Sequence, residues 1–172
     1  MPIHFSDLDV VAEVAGVRSA LIVPCTMCPA ATVAVREQKP FMQLFRSLFR
    51  SAPFERYIKA LQSRLADNGV RTEVFRSRLY HHWFMCMWTA GRREKLSKRA
   101  SGHDAVIVLG CDSATATVRE ATEAAGCKVI EGMKVSGIMN AQLKFQLPAN
   151  ISFDGCRVVP ISGHTQEGIL VH

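Results

Sequence analysis

Two short apolar runs that each lead into cysteine decide the fold of this chain: LIVPCTMCP at residues 21–29 and VIVLGCDS at residues 106–113. Each run has the length and composition of a buried strand and is followed directly by a helical pattern. Strands that alternate with helices predict parallel pairing through right-handed crossovers. Because ligands collect at the carboxyl ends of parallel strands, we expect Cys25, Cys28 and Cys111 to face one crevice.

The segments around these runs extend the same alternation. Strands are predicted at 19–23, 70–75, 104–109, 127–130 and 157–161, and helices at 6–15, 29–39, 40–49, 54–68, 79–100 and 113–125. Residues 132–150 show no clear pattern. This order predicts an α/β fold with a doubly wound, mainly parallel five-stranded sheet of flavodoxin-like order 2-1-3-4-5, with a helical insertion after the first strand. In that order strands one and three are neighbours.

Composition places the chain among globular proteins. Its 172 residues are 48% apolar and 21% charged, which excludes a disordered chain and predicts a single α/β domain over residues 1–172 with a basic helical segment at 40–100. No apolar run approaches the roughly 20 residues that span a bilayer. The acidic N-terminus is unlike a signal peptide, so we expect a cytoplasmic protein. In that compartment six cysteines indicate metal binding or catalysis rather than disulfides.

The C-x-x-C pair formed by Cys25 and Cys28 has two chemical uses. As a redox pair, Cys25 would be the nucleophile and Cys28 the resolving thiol of a thiol–disulfide oxidoreductase. As a metal site, the two thiolates would bind one zinc ion or an iron–sulfur cluster. Cys111 supplies a third thiolate, and this favours the metal site at the carboxyl ends of strands one and three. Cys86 is the fourth ligand we predict, although its apolar neighbours fit a core position equally well.

The same residues support a family resemblance. Ala20–Cys25, Val35–Glu37 and Val108–Cys111 resemble small cysteine-ligated metal proteins of one-carbon and corrinoid-dependent methyl metabolism, including the cysteine-bearing domain that accompanies some methylenetetrahydrofolate reductases. The resemblance implies bound zinc or an iron–sulfur cluster, carried over to Cys25 and Cys111 alone. Cys28 departs from the pattern of those proteins. The resulting hypothesis is a redox or accessory protein that serves one-carbon or methyl-transfer metabolism.

The basic charge lies in the middle of the chain. Residues 36–99 carry 15 Lys and Arg against 5 Asp and Glu. This excess fits either a solvated helical face or an anionic partner, which would be an acidic redox or methyltransferase protein or an anionic small molecule. Arg76 and Arg78 follow the second strand and would rim the cysteine site, and Ser113 could bind phosphate or simply cap its helix. No nucleic-acid motif is present, so a nucleic-acid partner is not expected.

A stripe of apolar residues from Phe41 to Phe49 repeats at helical spacing. Such a stripe is either part of the core or a face for a homodimer. Both interpretations are left open by the sequence.

Overall fold

The structure is a computed structural model that describes residues 3–43, 51–76, 85–147 and 149–161. In chain order its helices and strands are β1 (Ile3–Asp7), α1 (Val10–Glu13), β2 (Ser19–Pro24), α2 (Cys28–Arg36), β3 (Met42–Gln43), α3 (Ala52–Asp67), β4 (Arg71–Val74), α4 (Ala90–Ala100), β5 (Ala105–Leu109), α5 (Asp112–Thr122), β6 (Lys128–Glu131), β7 (Met133–Gln146) and β8 (Asn150–Pro160). Short 3₁₀ turns lie at Met85–Met87 and Glu123–Ala125.

The chain divides into two compact units. The parallel-sheet unit comprises Asp7–Cys25 and Ala60–Lys134. The antiparallel-sheet unit comprises Met1–Ser6, Thr26–Lys59 and Val135–His172. Among the residues that the structure describes, no helix is long and apolar enough to cross a membrane.

The parallel-sheet unit contains four strands in the order β4-β2-β5-β6. All of its pairings are parallel, with β2 between β4 and β5, and β6 on the outer side of β5. Every residue of β2 and β5 is buried, as expected for central strands of a sheet that is covered on both faces. This double burial explains why both strands are continuous apolar runs rather than alternating ones.

One face of the parallel sheet forms a core with α4, α5 and the Met85–Met87 turn. Helix α4 buries Arg92, Leu96 and Ala100, which are four residues apart and so share one helix face. The strands contribute side chains of alternate residues, as the pleat requires. The buried members of this core are Leu21, Val23, Cys25, Phe75, Met85, Trp88, Leu96, Ala100, Val106, Val108, Ala114 and Val118.

At the amino end of this sheet Asp104 joins the two central strands. Its Oδ2 accepts hydrogen bonds from the backbone N–H groups of Arg18 and Ser19 at 3.0 and 2.9 Å, and from Ser19 Oγ at 3.1 Å. The N–H of Asp104 donates in turn to Ser19 Oγ at 3.1 Å. Because these bonds stabilise the carboxylate, the pKa of Asp104 lies below its ordinary value, and the N–H of Arg18 is the largest contributor.

This depressed pKa makes part of the stability depend on pH. A lowered carboxyl pKa contributes stability that is present above the ordinary pKa of 3.8 and is lost as the pH falls through the folded-state value. We therefore expect Asp104→Asn to lower the melting temperature at pH 7, and the difference from the parent to shrink below pH 3.8. Thermal unfolding followed by circular dichroism between neutral and acid pH measures this difference. Asp67→Asn, at an exposed position in the last turn of α3, is the control. A constant difference at all pH values would contradict the prediction.

The antiparallel-sheet unit is built around the long hairpin of β7 and β8. Its sheet has the order β1-β7-β8-β3. The β7–β8 register shifts between the pairs Asn140–Arg157 and Gln142–Asp154, so one residue of β7 faces two of β8. Gly155, one of these two, has a φ of 54°. A glycine in this left-handed region is the mark of a G1 bulge, which bends and twists the strand.

The predicted single five-stranded parallel sheet is wrong, because the chain forms two four-stranded sheets. The segment predicted as the fifth parallel strand, 157–161, lies mostly in β8 of the antiparallel sheet. Its partner β7 occupies the region that shows no clear sequence pattern. Gly and Asn residues interrupt the alternation there, while pairing with β8 supplies the backbone hydrogen bonds that hold the strand.

Three predicted helices also differ from the structure. Residues 3–7, partly predicted as helix, form β1, and helix α1 is confined to Val10–Glu13. Met42 and Gln43 form β3 because they pair with β8, and Phe41 packs on Phe153 with 5.2 Å between ring centroids. The rest of the predicted 40–49 helix lies outside the described residues. The predicted 79–100 helix begins only at Ala90, and residues 77–84 are likewise outside the described part of the chain.

Candidate cysteine site at the carboxyl edge of the parallel sheet

Cys25 and Cys111 lie at the carboxyl ends of adjacent strands. Pro24 of β2 pairs with Leu109 of β5, and the next N–H, that of Cys25, donates to the carbonyl oxygen of Leu109 at 2.9 Å. Cys111 follows Leu109 after a single intervening residue, Gly110. The prediction that the two cysteine-bearing strand ends are neighbours is therefore met by the pairing of β2 with β5.

Gly110 allows the backbone of one strand end to approach the other. A Cβ atom at this position would lie 3.5 Å from Cys25 Cβ and 2.6 Å from Ala114 Cβ. The second distance is far below a van der Waals contact, so a side chain at position 110 requires a shift of the first turn of α5. The absence of a side chain at Gly110 thus sets the spacing between Cys25, β5 and α5.

Cys111 occupies the N-cap position of α5. Its backbone is extended, with φ −83° and ψ 175°, and its carbonyl oxygen accepts the N–H of Thr115 at 2.9 Å. The Cys111 side chain is half-buried, and it packs against the core that contains buried Cys25. Both thiols therefore contact the same apolar core, where the low dielectric strengthens bonds between thiolates and a cation.

The other predicted ligands lie in different settings. Cys28 is the first residue of α2 and is half-buried. Cys86 is exposed, although its neighbour Met85 is fully buried in the core with Cys25. Within residues 3–43, 51–76, 85–147 and 149–161, no three or more His, Cys, Asp or Glu side chains form a group that could hold a metal ion. The strand pairing thus brings Cys25 and Cys111 to one edge of the sheet, and the ligand roles of all four cysteines stay predictions.

The predicted anion-binding residues are exposed where they are described. Arg76 follows β4 and is exposed, Ser113 is exposed in the first turn of α5, and Arg78 lies outside the described residues. Their predicted contacts with a ligand or partner stay predictions.

The remaining cysteines are at other positions. Cys127 is half-buried just before β6, at the amino end of the parallel sheet, and it packs against the same core as Cys111. Cys156 is buried in β8, and burial raises the pKa of its thiol. Because Cys127 matches Cys111 in exposure and in core but lies at the opposite end of the sheet, it is the natural control for Cys111.

Arg92 is a further candidate residue that the sequence pattern did not reveal. This residue is 7% exposed, and its Cζ lies 4.5 Å from the ring centroid of Trp88 and 5.3 Å from that of Phe75. Burial lowers the pKa of its guanidinium. The sequence signal is limited to the closeness of Trp88 and Arg92 along the chain, because Trp88 precedes α4 and helical spacing does not apply to this pair. Treating the middle of the chain as one basic face concealed it.

Neither family models, nor curated proteins, nor solved structures include a match to this chain. The site is therefore characterised by its own geometry: two cysteines at adjacent strand ends, in contact with a core that also holds a buried arginine.

Proposed function

We propose that this chain is a metal-binding redox or accessory protein that binds zinc or an iron–sulfur cluster through the thiolates of Cys25, Cys28 and Cys111. The observation that supports this function is the position of Cys25 and Cys111 at the ends of two paired strands. Cys28 is included because the C-x-x-C spacing lets two thiolates bind one ion. A role in one-carbon or methyl-transfer metabolism is what the sequence resemblance implies.

The donor set fits the proposed metals. Thiolates are soft ligands that select zinc and iron–sulfur clusters over hard cations such as magnesium. When bound, zinc would supply a Lewis acid or a structural crosslink, and a cluster would supply one-electron transfer. The protein itself positions Cys25 through its backbone bond to Leu109, shields it in the core, and holds Cys111 at the start of α5. Cys86 is the proposed fourth ligand.

Metal analysis of anaerobically purified protein tests this function. The parent protein is expected to contain about one equivalent of zinc, or iron with matching sulfide. Cys111→Ser should contain at least about tenfold less metal than the parent protein. Even changes outside the ligand set cost about 10–100-fold in metal affinity. Cys127→Ser is the matched control and should retain the parent content. Cys86→Ser should release metal if Cys86 completes the site.

Two results would contradict the metal site. One is a parent protein with less than about a tenth of an equivalent of zinc or iron. The other is an equal metal content in Cys111→Ser and Cys127→Ser. Circular dichroism of each variant shows whether a loss of metal reflects the site or a loss of fold.

A second function, thiol–disulfide exchange, is favoured by the position of Cys28 at the first residue of α2. The positive end of a helix macrodipole favours negative charge, so it would favour the thiolate of Cys28, the resolving thiol of this reaction. In this reaction Cys25 thiolate would attack a substrate disulfide and release one substrate thiolate. Cys28 would then displace the second, leaving a Cys25–Cys28 disulfide and a reduced substrate. The burial of Cys25 weighs against direct attack. Disulfide reductase activity that survives in Cys111→Ser would support this function over the metal site.

A further inference from the structure

Arg92 is a buried cation in the first turn of α4. Its Nε and Nη2 atoms are both shielded from solvent, and neither has a hydrogen-bond partner in the part of the chain that the structure describes. The guanidinium is held against the rings of Trp88 and Phe75. Such contacts stabilise the charge through the faces of the rings but leave the N–H groups, which point outward in the guanidinium plane, unsatisfied.

Nε and Nη2 lie on the same side of the Arg92 guanidinium, so their N–H bonds point in the same direction. In arginine, Nε–H and one Nη2–H are parallel and form a fork that matches two oxygens of a carboxylate or phosphate. Trp88 Nε1 is a third buried donor without a partner in the described residues. The two groups of the fork are donors, so a ligand that supplies acceptor oxygens would satisfy them, whereas a cation or an apolar ligand would not.

The other arginines of α4 are already paired with acids. Arg93 forms an ion pair with Glu120, and Arg99 forms one with Glu73. Leaving a buried donor unpaired is costly, and the cost is greater for a charged group. Arg92 therefore differs from Arg93 and Arg99, because it is deeply buried and its Nε–Nη2 fork has no acceptor among the described residues.

We propose that Arg92 is the recognition group of an oxyanion-binding site, which takes the carboxylate or phosphate of a small ligand on its Nε–Nη2 fork. The site lies at the carboxyl edge of the parallel sheet, because Phe75 directly follows β4 and its N–H donates to Ile22 at 2.8 Å. Phe75 and Trp88 also belong to the core that contains Cys25. The proposal uses no cysteine, so it holds whether or not the chain binds a metal.

Fluorescence of Trp88 reports binding, since this ring lies against the guanidinium. The chain has two tryptophans, and Trp83→Phe leaves Trp88 as the sole one. In this background, sodium phosphate and sodium acetate are titrated separately at constant ionic strength, with chloride as the reference anion. We expect saturable binding of one of them with a dissociation constant of about 1 mM, as for a single bidentate ion pair. Saturation by phosphate identifies a phosphate ligand, and saturation by acetate a carboxylate ligand.

Three variants distinguish anion binding by the Arg92 fork from a general effect of positive charge. Arg92→Lys keeps the charge but removes the fork, and Arg92→Gln removes both, so each should weaken binding at least about tenfold. Arg93→Gln, the adjacent arginine with its own acidic partner, should bind as the parent does. Cys111→Ser should also bind as the parent does, even when it has lost metal, and this separates the present proposal from the metal site.

A thermal measurement covers the case of a poorly folded variant. The bound anion should raise the melting temperature of the parent protein by a few degrees at about a hundredfold excess over the dissociation constant. Arg92→Met should unfold at the same or a higher temperature, because an apolar side chain removes the unsatisfied charge. The proposal is overturned by the absence of saturable binding to both anions, by equal affinities of Arg92→Lys and the parent, or by a melting temperature that falls in Arg92→Met.

Discussion

Leu21→Ala is expected to lower the free energy of unfolding by about 2–5 kcal/mol, the usual range for truncating a fully buried leucine. Leu21 has no exposed surface, lies in the central strand β2, and is paired with Glu73 on one side and Val106 on the other. Its side chain belongs to the core beneath α4 and α5. Because backbone pairing on both sides limits relaxation, the cavity should persist, and the loss should lie in the upper part of this range.

Urea denaturation followed by circular dichroism measures this loss. Leu143→Ala is the matched control, since Leu143 is 54% exposed in β7 and should change stability by about 0.5 kcal/mol or less. Domains of ordinary stability unfold with 5–15 kcal/mol, so Leu21→Ala should unfold at a clearly lower urea concentration. A loss below about 1 kcal/mol would show that Leu21 is not enclosed as described.

Gly110→Ala is the second large effect that we expect, a loss of about 1–3 kcal/mol from overpacking. The new methyl group would lie 2.6 Å from Ala114 Cβ, and neither carbon has a rotatable bond that could relieve the contact. Strand β5 and helix α5 must therefore separate, and this separation moves Cys111. The same methyl group lies 3.5 Å from Cys25 Cβ, so the exposure of the Cys25 thiol should also change.

A double-mutant cycle isolates this contact. Ala114→Gly removes the opposing methyl group, so the Gly110→Ala/Ala114→Gly protein should be more stable than the sum of the two single changes predicts. Gly91→Ala is the control, since a Cβ there meets no atom within 4 Å and alanine favours the helix. Thiol alkylation followed by peptide mass mapping reports the exposure of Cys25 separately from that of the other cysteines. Additive effects in the cycle would argue against the close approach of β5 and α5 at Gly110.

The sequence predicted the parallel sheet more successfully than the rest of the fold. β2 and β5 are buried on both faces, so their composition alone identifies them, and a cysteine follows each strand within two residues. β7 and β8 could not be identified in this way, because their stability depends on pairing with each other and their patterns include exposed Leu143 and Phe145. Local periodicity does not show which of two sheets a strand joins.

The residues of the candidate site were likewise predictable only where the local sequence pattern determines their position. The positions of Cys25 and Cys111 at the sheet edge could be predicted because each cysteine lies between a buried strand and a helix. Arg92 was missed because a basic residue is expected at the surface, and its burial depends on Phe75, a residue that lies far from it in the sequence. Charge counts describe how many cations a segment has, but tertiary packing decides which of them loses contact with water.

The central strands of the parallel sheet also have a consequence for the order of assembly. The hydrogen bonds between Ser19 and Asp104 join residues that are 85 positions apart in the chain. During synthesis β2 emerges long before β5, so the apolar surface of β2 stays uncovered until β5 has been made. The chain segment between the two strands forms a long loop, and closing a long loop has an entropic cost. Folding of this sheet should therefore be slow compared with that of a helical protein of this size. Cys25 and Cys111 become neighbours only when β5 joins β2, which makes their shared edge a late product of folding.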